Sequence, residues 1–337
     1  MVDDKRGMKI NYNLLICSAG RRVSLIRLFQ KALKDLQMSG LVCAVDIDIT
    51  APALHAADKF EIVSKVTELG YIDQLLKICI ENEISLVIPT IDTELDILSK
   101  STSLFEKNGI QILVSSENVN QISSNKIITN KFFKNNNIPT PSLHTFEEAK
   151  KLIKSGHELF IKPSNGSSSE NTYRVHNLDE LNFFYNFSND MIIQDFIEGE
   201  EYTIDIFVDF NGKVRCAVPR LRIETRAGEV SKSITVRDKE IIEWSYKIAD
   251  ALDGSLGCLT FQCIKESNNS VKFIEINPRF GGGFPLSSAA GADFPRWILQ
   301  ILLKFDLEEN LQFLWTEGLY MLRYDHEIFT TKDQLQL

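Results

Sequence analysis

Residues 273–279 read Phe273-Ile274-Glu275-Ile276-Asn277-Pro278-Arg279 and run on into Gly281-Gly282-Gly283. Side chains alternate along a strand, so Glu275 and Asn277 point the same way. The preceding apolar run, Leu256–Lys265, reads as a second strand of a hairpin turned at Asn268-Asn269, and its Gln262 faces the same side. One carboxylate and two amide oxygens on adjacent strands suit Mg²⁺, which takes one or two carboxylates and completes its octahedron with phosphate and water. Mn²⁺ fits the same donors in its place. Arg279 falls just past the strand, placed to stabilise charge on a transferring phosphoryl group. The competing reading is an edge hairpin with a solvated polar face; the Asn-Pro-Arg ending and the three glycines weigh against it.

Working outward, Phe160–Asn171 reads FIKPSNGSSSEN. A strand delivers Lys162 to a loop whose Ser, Gly and Asn residues can bring N–H groups and hydroxyls around phosphate oxygens. No Gly-Lys-Ser/Thr follows, so this is not a Walker A loop. By itself the segment is equally a solvent loop after a surface strand. Between the two segments lies a stretch rich in cations, Pro219 to Lys232, with Arg220, Arg222, Arg226 and Lys232. Arginine matches a carboxylate with two parallel hydrogen bonds, so Arg220, Arg222, Arg226 and Lys232 are expected to border a carboxylate substrate. The alternative is a solvated basic loop balanced by Glu224 and Glu229.

The first third alternates short apolar runs with amphipathic ones: strands at Asn13–Cys17, Leu41–Val45, Phe60–Val63, Ser85–Pro89 and Gln111–Val114, and helices over Val23–Leu36, Tyr71–Glu81 and Thr93–Lys107. That order predicts a parallel sheet covered by helices on both faces, Rossmann-like in build. The first turn, Ser18-Ala19-Gly20-Arg21-Arg22, lacks G-x-G-x-x-G, which argues against a dinucleotide site. Its two arginines either hold an anion at the helix start or are simply solvated. Thr90, Asp92 and Glu94 end another strand, where they recognise a substrate ammonium group or cap the next helix. From Glu117 to Asn137 the chain is helical and polar, and Pro139 and Pro141 then force an extended connection. After it the pattern becomes α+β, with a hairpin of Tyr202–Val208 and Val214–Leu221.

Composition is that of an ordinary globular protein, 44% hydrophobic and 25% charged over 337 residues. A net charge of −9 without a long Lys/Arg cluster argues against a nucleic-acid partner. No apolar run approaches the roughly 20 residues that span a bilayer, and the first residues lack a signal-peptide core. Six scattered cysteines and five dispersed histidines offer no zinc spacing and fit reduced thiols in the cytoplasm.

The order Lys126, Lys162 with its Ser/Gly loop, Glu198-Gly199-Glu200-Glu201-Tyr202, Gln262, and Glu275-Ile276-Asn277-Pro278-Arg279 resembles the ATP-grasp superfamily. It is most similar to the branch with the carbamoyl-phosphate synthase large subunit and the pyrrolysine-biosynthesis ligase. The resemblance covers nearly the whole chain and implies an α/β and α+β protein: a Rossmann-like pre-ATP-grasp domain over 1–115, then a two-part ATP-grasp domain at 116–190 and 191–305, and a C-terminal segment at 306–337. It implies that Lys126 and Lys162 contact nucleotide phosphate and that Gly166, Ser167, Ser168 and Ser169 form the loop closing over it. Gln194, Asp195, Phe196 and Ile197 match the segment bonded to the adenine edge, and Glu201 the acid on the ribose. Gln262, Glu275 and Asn277 match metal ligands, and Arg279 the arginine of phosphoryl transfer; with Lys162 and Arg222 it forms the expected catalytic set. Two features depart from the pattern: Asn125 stands where an Asp is common, and the loop has one glycine.

The implied activity is an ATP- and Mg²⁺-dependent joining of a small carboxylate to an amine through an acyl phosphate. Rival readings are a carbamoyl-phosphate synthase-like phosphorylating subunit that needs a partner, and a nucleotide-binding regulatory module without turnover. A homo-oligomer or a partner subunit is compatible with the sequence. Thr90 and Asp92 at the ligand edge of the first sheet, with the basic segment, are the expected substrate contacts.

Overall fold

Three apolar runs of four or five residues, too short for helices, build the centre of the first sheet. The computed structural model describes residues 12–166, 171–188, 190–226, 228–332 and 335, so the expected phosphate contacts Ser167, Ser168 and Ser169 lie outside the described residues. In chain order come β1 (Asn13–Ile16), α1 (Val23–Asp35), β2 (Val42–Asp46), β3 (Lys59–Ile62), α2 (Tyr71–Glu81), β4 (Ile84–Ile88), α3 (Asp92–Glu106) and β5 (Gln111–Ile112). The strands form a parallel sheet in the order β3-β2-β1-β4-β5. Every residue of β1 and β2 is buried, as a parallel strand covered on both faces requires. Below one face, Leu25, Ile26, Phe29, Ala32 and Leu33 of α1 pack at helical spacing. Tyr71, Leu75 and Cys79 of α2, with Leu95 and Leu98 of α3, join the core on the other face.

The polar helical stretch is two helices, α4 (Glu117–Ser124) and α5 (Lys126–Asn135). Asn125 divides them: its extended backbone ends α4, and its side chain caps α5 by accepting from Ile127 N at 2.9 Å. Next follow β6 (Leu143–His144), α6 (Phe146–Lys154), β7 (Leu159–Pro163), β8 (Tyr173–Val175), α7 (Leu178–Tyr185) and β9 (Met191–Asp195). They make an antiparallel sheet ordered β6-β9-β7-β8, with its own small core of Ala149, Ile153, Leu159, Ile161, Leu181 and Ile193.

The remainder is β10 (Glu200–Val208), β11 (Val214–Arg226), β12 (Glu229–Thr235), α8 (Lys239–Ala251), β13 (Gly257–Lys265), β14 (Val271–Asn277), α9 (Phe284–Ala289), α10 (Phe294–Leu302) and β15 (Tyr320–Leu322). Six strands pair as β14-β13-β10-β11-β12-β15. Here the structure corrects the sequence reading. The basic stretch is no loop between strands: β11 runs on to Arg226 and β12 returns beside it. Alternating polar and β-branched residues through Arg222-Ile223-Glu224-Thr225 sustain the ladder, and charge alone had hidden that period. β15, α9 and α10 were also not foreseen.

One face of this sheet packs Ile204, Ile206, Leu259, Phe261, Phe273 and Ile276 against α4, α5 and α8. Its other face divides. Toward one end, Phe207, Val218 and Cys258 join the first domain's core. There the rings of Phe29, Phe280, Phe284, Phe294 and Trp297 form a chain of contacts with centroids 4.8–5.9 Å apart, a spacing at which aromatic pairs attract beyond their area burial. Toward the other end the same face turns polar.

Candidate nucleotide and phosphoryl-transfer site

The polar half of the face follows from strand register. On β10, Glu201, Thr203 and Asp205 alternate onto it; Gln262 and Thr260 of β13 pair with Thr203 and Asp205. Glu275 and Asn277 of β14 stand opposite Gln262 and Thr260. Arg220 and Arg222 arrive from the other side on β11. Gln262, Glu275 and Asn277 are therefore neighbours on one surface. Among the described residues no group of three or more His, Cys, Asp and Glu gathers as a metal cluster. A single carboxylate flanked by two amide oxygens instead fits a hard cation that draws its other ligands from phosphate and water.

Arg279 leaves the end of β14 and points its guanidinium at the first domain. Its Nη2 donates to Asp92 Oδ2 at 2.7 Å and to Asn277 Oδ1 at 3.3 Å, while Thr260 Oγ1 donates to the Arg279 carbonyl at 3.0 Å. Burial works against its charge, but Asp92 and Glu275 outweigh burial and hold its pKa above the ordinary value. Its Nε is buried without a partner among the described residues, a donor of the kind a phosphoryl oxygen satisfies.

Two lysines converge on this surface, one from the other sheet and one from the start of α5. Lys162 sits near the end of β7, 7% exposed. Burial pushes its pKa down to about 8, Lys126 pushes it the same way, and Glu275 and Glu201 partly oppose them. Lys126 opens α5 and is also lowered, first by burial, against Glu275, Asp190 and Asp92. Its Nζ donates to the Gly166 carbonyl at 2.7 Å, and Gly166 has a φ of +99°, the left-handed region that glycine adopts without strain. Asn125 ties the helix start to the loop by donating to Asn165 Oδ1 at 3.0 Å and to Ser164 Oγ at 3.3 Å. An aspartate there would cap α5 equally well but could donate neither bond. Lys126, Lys162 and Gln194 line one narrow recess with Thr140 and Ile274.

The other expected contacts are placed as follows. Gln194 is buried on β9. Asp195 accepts from Ser142 N at 2.9 Å and bonds His144 Nε2 at 2.6 Å. Phe196 lies under the Arg174 guanidinium, 4.1 Å from its centroid, and Ile197 follows it, half-buried. Glu201 pairs with Arg222; burial raises its carboxyl pKa and Arg222 counters that shift. Arg220 has no exposed surface. It makes a two-bond pair with Asp205, at 2.7 and 3.0 Å, and Ser287 Oγ donates to the same carboxylate at 2.5 Å. A Cβ added at Gly283 would run into the Arg220 guanidinium, so this pair fixes the path of the glycines after Arg279. Arg226 and Lys232 lie on the exposed end of the β11–β12 hairpin, paired with Asp325 and Glu224, away from the two lysines' recess.

At the edge of the parallel sheet, Thr90 is fully buried and its hydroxyl donates to the carbonyls of Cys17 and Ser18 at 3.0 and 2.8 Å. Glu94 accepts from Thr90 N at 2.6 Å, Ile91 N at 3.2 Å and Ser18 Oγ at 2.8 Å; burial nevertheless raises its pKa to about 7. Both residues are thus occupied in shaping the turn, and Asp92 is left to meet Arg279. Asp46 accepts from Gly20 N at 2.7 Å and so holds the first turn. The Asp205–Arg220–Ser287 network and Arg323 were missed by the sequence reading. An aspartate inside an apolar strand, Ile204-Asp205-Ile206, was the available signal for the first.

Comparison with known proteins bears on these elements. A family model described as the PylC-like N-terminal domain matches residues 14–113. A second, described as ATP-grasp in the biosynthetic pathway with Ter operon, matches 187–320. The chain is 25% identical over 257 residues to a formate-dependent phosphoribosylglycinamide formyltransferase of Bacteroides thetaiotaomicron, covering 71% of this chain and 64% of that protein. It is 27% identical over 177 residues to a D-alanine–D-alanine ligase of Buchnera aphidicola, covering 45% and 56%. The chain thus spans less than two thirds of the length of these relatives. Among solved structures, biotin carboxylase of Campylobacter jejuni superposes with a TM-score of 0.71 at 16% identity, covering 88% of this chain and 72% of the other. N5-carboxyaminoimidazole synthetase of Staphylococcus aureus does so at 0.68 and 15%, covering 89% and 80%. At such identities the likeness is one of fold.

Proposed function

We propose that this chain, which matches a PylC-like N-terminal domain model over residues 14–113 and an ATP-grasp model over 187–320, is an ATP-grasp enzyme that joins a small carboxylate to an amine at the expense of ATP. The observation that carries the reading is the convergence of Lys126, Lys162, Glu275, Gln262, Asn277 and Arg279 on one polar sheet face. A carboxylate oxygen of the substrate attacks the γ-phosphorus in line, the bond to the β-phosphate oxygen breaks, and ADP leaves. The amine then attacks the carbonyl carbon of the acyl phosphate, loses its proton, and phosphate departs from the new amide.

The chain's own groups supply position and charge. Lys126 and Lys162 hold phosphate oxygens, Arg279 neutralises the transferring group, and Asp92 keeps Arg279 in place. Gln262, Glu275 and Asn277 would hold Mg²⁺, or Mn²⁺ in its stead, and the ion would supply charge neutralisation between the phosphates. Glu201 is assigned to the ribose hydroxyls, with Arg222 orienting it, and the backbone from Gln194 to Ile197 to the adenine edge. The six free, buried cysteines suit a reducing, ATP-rich compartment, and we place the protein in the cytoplasm.

The test is ADP release from Mg-ATP with pools of small carboxylates, with and without amines. Release that requires one acid and rises with an amine supports the reading. Tight ATP binding with no release from any pool would instead favour a nucleotide-binding module without turnover.

A further inference from the structure

Beyond the nucleotide half, a cavity of about 240 Å³ opens where the first turn of the parallel sheet meets Gly281 and Gly282. One water needs only ~10–15 Å³ of such space, so the cavity holds a good part of a small metabolite. Its charged lining is three arginines, Arg21, Arg22 and Arg323, against one carboxylate, Glu229. That surplus of positive charge stands out in a chain with a net charge of −9. α1 also begins here, with no acidic residue in its first turn and no side-chain cap, so its positive end adds to the same sign.

Glu229 serves two of the cations at once, 3.0 Å from Arg323 and 3.9 Å from Arg22. A carboxylate between these arginines shows which chemistry they accept, and Arg21 stays exposed beside them. Burial and then Arg279 press the Arg22 guanidinium below its ordinary pKa, and Glu229 opposes them only in part. The cavity is short of negative charge. It also adjoins the transfer site through the chain: Ile91 and Gly281 line it, and their near neighbours Asp92 and Arg279 form the ion pair there.

We propose, building on the ligase reading, that this cavity holds a substrate by a second oxyanion, carboxylate or phosphate, remote from its reacting group and clamped by Arg21, Arg22 and Arg323. Glu229 is the internal stand-in that the ligand displaces. Arg323 lies just past β15, so the C-terminal segment supplies part of the acceptor site.

Binding to the full chain, measured by calorimetry with Mg-ADP present, tests this. One arm is succinate, glutarate and glutamate; the second is O-phosphoserine and 3-phosphoglycerate; acetate and alanine are controls. Members of one arm should bind at least tenfold more tightly than the controls. Whichever arm binds identifies the oxyanion. Arg21→Gln, exposed and without consequence for folding, and Arg323→Gln should each weaken that binding at least tenfold and leave ADP affinity unchanged. Failure of both arms to bind, or binding indifferent to both substitutions, would overturn the proposal. Arginine-dependent binding without ADP release would remove the ligase reading and leave this one standing. ADP release with an acid that ignores both substitutions would do the reverse.

Discussion

Glu275 on β14 stands in register opposite Gln262 on β13, so a carboxylate and an amide oxygen lie side by side across two hydrogen-bonded strands. Glu275 also bears on Lys162 of the facing sheet and on Lys126 at the start of α5, opposing the fall in their pKa values. One carboxylate therefore acts as prospective metal ligand and as counter-charge to the two cations proposed for phosphate.

Replacing that carboxylate should stop the chemistry without unfolding the chain. Glu275→Ala is expected to lower turnover by roughly 10²–10³-fold or more, as the loss of one electrostatic stabiliser does. Its stability should change by about 0.5 kcal/mol, the range for substitutions outside a packed core. Steady-state ADP release and a urea melt check the two halves; a fully active variant removes the metal assignment.

If Lys162 holds a phosphate as proposed, nucleotide binding should depend on pH. Its pKa in the folded chain is about 8, below the ~10.4 of a free lysine. Between those values the unfolded chain holds a proton that the folded chain has released, so stability rises with pH there. ATP affinity runs the other way: it is fully present below pH ~8 and falls as the ammonium deprotonates. Bound phosphate favours the charged lysine, so ATP binding near pH 8 should take up a proton. Calorimetry in buffers of different ionisation enthalpy reads that uptake, and Lys162→Met should abolish it.

Asp92 reaches from the first residue of α3 to Arg279 at 2.7 Å. Asp92→Asn keeps the shape but removes the charge that opposes Arg279's burial. Turnover should fall by roughly 10–100-fold while the ADP dissociation constant stays within a factor of two or so. Equal losses in both would mean that Asp92 acts on nucleotide binding and not on transfer.

Asn125→Asp separates two jobs of one side chain. The cap on α5 survives, since Asn and Asp cap about equally, so the melting temperature should hold. The two donations to Asn165 and Ser164 disappear, and at ~1 kcal/mol each the KM for ATP should rise about fivefold for each bond lost.

Breaking the Asp205–Arg220 pair is the structural counterpart. Both side chains are fully buried, and Asp205→Ala strands a guanidinium inside the protein. A loss of about 3–5 kcal/mol is expected, read as a lower denaturation midpoint at unchanged slope.

Much of this architecture is legible in sequence because it rests on period. The alternation through Glu275-Ile276-Asn277 put two donors on one face, and the apolar runs of β1, β2 and β4 could only be buried strands. Asn125 was visible as a departure, though its reason was not. Its partners, Asn165 and Ser164, lie some forty residues away, and local pattern carries no such pairing. Arg220 illustrates the opposite failure. Its sequence neighbours made it look like a solvated or ligand-facing cation, whereas Asp205, fifteen residues earlier, draws it into the interior. Arg323 escaped notice because β15 is three residues long and joins its sheet only by pairing with β12.

That last strand has a consequence for biogenesis. On the ribosome, every residue assigned to phosphate and metal emerges before residue 280, but Arg323, bonded to Gly282 and Glu229, arrives some forty residues later. A nascent chain can assemble its nucleotide half first and finish the wall of its second cavity only when those further residues have emerged. A chain interrupted between Gly282 and Arg323 would then hold ATP without a full grip on what ATP is to activate.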